Sequence, residues 1–146
     1  MINDLATAPL QAMECDCQPS PTSRPLPLCW LRTASARTRL ELVAATLRYY
    51  AVATVPRFDV EPDVGRQHIA EALLVQFPGG MHSYVFWTAR DDLDAFLPDG
   101  TLIGDLTLHH SADVAEALEA ALGDTGLAYH AEQPRQTTVL AGSAQR

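Results

Sequence analysis

Residues 40–56 read LELVAATLRYYAVATVP, and the point where this run stops being helix decides the fold. Leu40, Val43, Ala44, Leu47, Tyr50 and Ala51 recur at i, i+3, i+4, i+7, i+10 and i+11, laying one apolar stripe along a helix. The stretch from Tyr49 to Val55 serves equally well as a strand, because it is aromatic and β-branched. Pro56 is expected to stop either element. With residues 48–55 helical, the chain is α+β, a small antiparallel sheet with helices packed on one face. With those residues extended, the order becomes βαββαβ, the ferredoxin-like split.

Downstream, Asp59 to Asp63 around Pro62 open a second helix that runs through Ile69, Ala72, Leu73 and Phe77 to the breaker Pro78-Gly79-Gly80. Met81 to Thr88 is aromatic and β-branched, and its consecutive Val85, Phe86 and Trp87 predict a strand buried on both faces. After the turn at Pro98-Asp99-Gly100, Leu102, Gly104, Leu106 and Leu108 alternate with Ile103, Asp105, Thr107 and His109, the period of a strand with one polar face. Ser111 or Asp113 caps a helix, with Glu116 completing a capping box. That helix turns Val114, Ala117, Leu118, Ala121 and Leu122 inward and ends at Gly123. Residues 127–132 and 136–140 read as short final strands.

At 146 residues the chain is one domain. Residues 1–30 hold five prolines and read as a flexible or extended Pro-rich arm, 31–140 as the folded unit, and 141–146 as a frayed end. No run approaches the ~18 apolar residues of a membrane helix, and the start lacks a signal peptide's charge pattern, so a cytoplasmic location is expected. Cys15, Cys17 and Cys29, odd in number and confined to one end, fit a reducing compartment better than a disulfide framework.

Charge is split along the chain. Residues 1–57 carry six Arg against four acids, a balance of +2, while residues 58–146 carry four Arg against fourteen acids, a balance of −10. Every basic residue is Arg, and a lysine-free, Ala- and Leu-rich composition points to a high-GC bacterium or its mobile elements.

Recognised chemistry is sparse. Cys15, Cys17 and Cys29 offer three thiolates but no fourth zinc ligand at a suitable spacing. Pro78-Gly79-Gly80 precedes a strand, the wrong context for a phosphate loop, and no Ser nucleophile elbow or EF-hand pattern is present. The histidines (His68, His82, His109, His110, His130) share no helical-turn spacing, although a strand pair could bring His82 towards His109 with Asp105 to orient an imidazole. No metal or cofactor is expected.

Arg24, Arg32, Arg37, Arg39 and Arg48 form a modest basic region, yet the protein at −8 repels phosphate as a whole. A helix-turn-helix over residues 36–77 would need a shorter turn than the stretch between Pro56 and Pro62 allows. Nucleic acid is therefore not expected as a direct ligand. The composition instead predicts a small acidic accessory protein that binds another macromolecule, a protein with a basic surface, through Asp91, Asp92, Asp94 and Asp99. Clustered carboxylates can occupy a groove built for phosphates, so an inhibitor of a nucleic-acid-handling or defence complex is its concrete form. Tyr84, Phe86 and Trp87 are possible anchors, at least two of them expected in the core. A ligand-binding or catalytic domain using His82, Asp105 and His109 is the competing class, and a homo-oligomer a third.

Overall fold

A computed structural model describes residues 19–23, 25–79 and 82–141. Cys15, Cys17, most of the Pro-rich arm and the terminus after 141 lie outside the described residues. The decisive stretch becomes helix and strand in turn. Helix α1 (Leu28–Thr33) precedes α2 (Ala36–Tyr49), whose N-cap Ser35 accepts from the Thr38 amide through its hydroxyl at 3.2 Å. Helix α2 ends where Ala51 takes a left-handed φ of 68°. The Ala51 amide then donates to the Arg48 carbonyl and the Val52 amide to that of Leu47, a Schellman closure that turns the chain into strand β1 (Ala53–Phe58). The apolar stripe accordingly stops at Leu47, and Tyr50 and Ala51 are exposed.

Pro56 does not end β1. The strand lies at a sheet edge, where a residue without an N–H breaks no ladder. Helix α3 (Pro62–Gln76) crosses back to β2 (Tyr84–Thr88), which pairs parallel to β1. Helix α4 (Ala89–Ala95), β3 (Leu106–His110), a 3-10 turn (Ala112–Val114), α5 (Ala115–Asp124), β4 (Tyr129–Gln133) and β5 (Gln136–Val139) complete the chain. The sheet order is β1-β2-β3-β5-β4, antiparallel except at the first pair. The α+β class holds, with a mixed sheet in place of a wholly antiparallel one. A ferredoxin-like order is not formed, because β1 sits beside β2 and not beside β3.

Helices cover both faces of this sheet. Val85, Trp87, Leu106, Leu108 and Val139 meet Leu40, Val43 and Leu47 of α2 and Leu118 and Leu122 of α5 in the main core. On the opposite face Tyr84 and Phe86 meet Ile69 and Leu73 of α3. Strand β2 is thus buried on both sides, and full burial of a side chain such as Phe86 contributes ~1.5–3 kcal/mol. Gly65 permits the close approach of α3: a Cβ there would lie 2.9 Å from Phe86 Cε2.

A smaller cluster of Leu26, Trp30 and Leu42 docks α1 on α2. Among the described residues this cluster carries packing back to Leu26. Two details of α5 also differ from expectation. No capping box forms, since the Asp113 carboxylate accepts from the Ser83 hydroxyl, and Ala117 is exposed. The helix closes at Gly126 and not at Gly123: with φ 80° at Gly126, its amide donates to Gly123 and the Leu127 amide to Leu122.

Candidate functional surface

The acidic run 91–94 is expressed as helix α4. Its N-cap Thr88 accepts from the Asp91 amide at 3.1 Å, and Asp91 and Asp92 sit in the first turn, where the helix dipole favours carboxylates. Asp92 points inward. It accepts from Arg37 at 2.7 and 3.3 Å and from the Trp87 indole at 3.0 Å, and is 5% exposed. This carboxylate belongs to the frame of the domain and not to its surface.

Asp91 is half-buried, and Asp94 and Asp99 are exposed. The Thr101 amide donates to Asp99 at 3.0 Å and holds that carboxyl below its ordinary pKa. The same segment carries three exposed apolar side chains: Leu93 at 79% and Leu97 at 41% among these acids in sequence, and Ile103 at 56% just after them. The loop after α4 folds back on it, because the Ile103 and Gly104 amides both donate to the Ala95 carbonyl and Leu97 donates to Thr101. One short segment thus presents apolar side chains among carboxylates. The sequence did not mark this trio as a surface; its signals were Leu93 standing alone inside an acid run and Ile103 falling on the polar side of the 102–109 alternation. Tyr84, Phe86 and Trp87 are all buried, so none of them anchors a surface contact.

The histidines are dispersed. Asp105 accepts from the Ala141 amide at 2.9 Å and lies four residues before His109 along extended chain, about 13 Å away. His82 is exposed and acts electrostatically on Asp113, whose carboxyl is held below its ordinary pKa by hydrogen bonds from Ser111 and Ser83. His109 stacks on Phe86 with ring centroids 5.1 Å apart. His110 is fully buried: its Nδ1–H donates to the Ser111 carbonyl at 2.9 Å, leaving Nε2 to accept from the Thr137 hydroxyl at 3.0 Å. The structure does not gather His82, Asp105 and His109 into one site. Among the described residues no group of three or more His, Cys, Asp or Glu is placed to hold a metal ion.

Burial lowers the pKa of both His109 and His110, with Arg66 adding to the effect. The unfolded chain takes up these protons at ~6.5, while the folded chain resists them to lower pH. The stability carried by the neutral rings is therefore complete above ~6.5 and falls as pH drops from there through the lowered folded values. Urea midpoints are expected to decline as pH falls below ~6.5, with a shallower decline in His109→Gln. Equal slopes in the two proteins would show that His109 contributes nothing to it.

Comparison with protein-family models, curated proteins and solved structures finds no match.

Proposed function

We propose that this chain is a small acidic accessory protein that acts by binding a protein partner with a basic surface, through α4 and the loop that follows it. The observation that carries this reading is the exposure of Leu93, Leu97 and Ile103 in the same short segment as Asp91, Asp94 and Asp99. Apolar side chains supply the desolvated centre of a contact, and a carboxylate rim steers a cationic partner and selects against anionic ones. The −10 balance of residues 58–146 extends that field beyond the segment itself. Asp92 leaves the contact set, since its carboxylate is committed to Arg37 and Trp87. A nucleic-acid-handling or defence complex, whose phosphate-binding groove would accept such a surface, is the partner class this charge pattern fits. Among the described residues no helix is long and apolar enough to cross a membrane.

The test is affinity capture of the tagged protein at low and moderate salt, followed by binding measurements on the captured partner. Asp94→Asn with Asp99→Asn is expected to slow association and flatten its salt dependence. Leu93→Ala should weaken binding by about 1–2 kcal/mol, chiefly through faster dissociation. A partner held equally well by all these variants overturns the reading.

A further inference from the structure

Strand β1 carries an irregularity that its pairing partner does not share. Val55 pairs with Phe86 and Phe58 with Thr88, so three steps along β1 match two along β2, and one extra residue is accommodated at Pro56-Arg57. Arg57 occupies the left-handed region at φ 54°, a conformation that costs a non-glycine residue about 1 kcal/mol. The bulge has a geometric result. Ala53, Val55 and Phe58 all pack on the α3 side, while Pro56 and Arg57 both line a cleft on the α2 side. Bulges re-aim side chains in this manner next to functional sites.

The cleft encloses about 110 Å³. Helix α2 supplies one wall through Arg37, Glu41, Ala44 and Arg48, which share a stripe, and Trp87 contributes from β2. Three of the ten arginines of the chain meet here. Arg37 is neutralised by Asp92, and Arg48 donates to the Thr54 carbonyl at 3.1 Å. The Arg57 guanidinium takes no partner among the described residues; Glu41 lines the same cleft, and Glu41, Arg48 and Arg57 are all exposed. Setting Glu41 against Arg48 and Arg57 leaves an excess of one positive charge, in a protein that is strongly negative overall.

From this arrangement we infer that the cleft between α2 and the β1 bulge binds the phosphoryl group of a phosphate monoester. Guanidinium forks match phosphate and carboxylate oxygens alike. Arg37 is held by Asp92, but Arg48 and Arg57 line the same cleft and keep N–H donors beyond the one given to Thr54, more than the two oxygens of a carboxylate accept and suited to the three terminal oxygens of a phosphoryl group. The confined volume receives that group and leaves the remainder of its bearer outside. Of the three cleft arginines, Arg57 alone has no partner among the described residues, and it stands on strained backbone, a form that stored strain takes at ligand sites.

Two tryptophans make the test direct, because Trp87 lines the cleft and Trp30 lies in the α1 cluster. Titration of the full chain with inorganic phosphate, at ionic strength held constant with chloride, is expected to shift the Trp87 indole N–H resonance saturably and leave that of Trp30 in place. Arg57→Gly and Arg48→Gln should each weaken binding about tenfold, the loss of one charge-assisted contact. Arg57→Gly relieves the left-handed strain, so it is expected to melt no lower than the parent, which separates lost binding from lost fold. Glycerol phosphate and a phosphoserine tripeptide, run as parallel arms, distinguish a small metabolite from a modified protein as the source by which binds more tightly. No saturable shift at Trp87, or a shift unchanged in both variants, overturns the inference.

Discussion

Replacement of Arg39 by Met is expected to cost about 3–5 kcal/mol of folding stability, much of what a domain of this size possesses. Arg39 is 6% exposed, and its guanidinium donates to three backbone carbonyls: Ala34 at 3.1 Å, Thr125 at 2.7 Å, and Leu31. Leu31 and Ala34 belong to the end of α1, and Thr125 is the C-cap of α5. One cation therefore satisfies orphan acceptors at two helix C-termini, where the backbone dipoles also favour positive charge. Burial lowers the Arg39 pKa from its ordinary value. Met fills much of the volume but leaves the carbonyls unpaired, each at about 1–3 kcal/mol where water cannot replace the donor. Lys keeps the charge without the fork, so Arg39→Lys should recover only part of the loss. Urea unfolding of the three proteins checks this; a loss below about 1 kcal/mol for Met would mean that water takes over the acceptors.

The second large effect is expected at Asp92. Asp92→Ala removes the partner of Arg37 and the acceptor of the Trp87 indole together, and should cost about 2–3 kcal/mol. The figure lies below that for a fully enclosed pair because the Arg37 side chain is 25% exposed and can turn to water. Its guanidinium also stands 4.3 Å over the Phe96 ring, a contact the ion pair holds in place. Asp92→Asn preserves an acceptor for the indole and should cost about half as much. Denaturation midpoints at neutral pH measure both. An Asp92 variant that unfolds like the parent would release the carboxylate from its structural role and return it to the contact surface.

Arg39 and Asp92 mark where the chain could not be read in advance. Both are charged letters in charged neighbourhoods, and periodicity assigns such residues to solvent; only the arrival of distant elements, Thr125 for one and Arg37 for the other, turns them inward. The stripe from Leu40 to Leu47 and the doubly buried run at Val85 to Trp87 were legible, because burial leaves a periodic mark on residue type. The parallel pairing of β1 with β2 left no such mark, being a property of the crossover between them. Residues 48–55 read as helix or strand for a physical reason: both occur there, divided at Ala51 by a left-handed turn adopted by a residue that does not advertise it. At the candidate surface, Asp94 and Asp99 were identifiable as exposed acids and Ile103 fell on the polar side of the alternation, whereas nothing in the pattern marked Leu93 and Leu97 as a joint exposed patch with it.

The placement of Pro56 bears on how copies of this protein can associate. A sheet grows from molecule to molecule only when each unit offers two edges with open amide and carbonyl groups. Here one outer strand carries a residue without an amide hydrogen followed by a bulge, and its opposite edge is the five-residue β4. Among the described residues, pairing through the β4 edge alone would join two sheets and leave only blunted β1 edges outside, so edge addition is expected to stop at a pair.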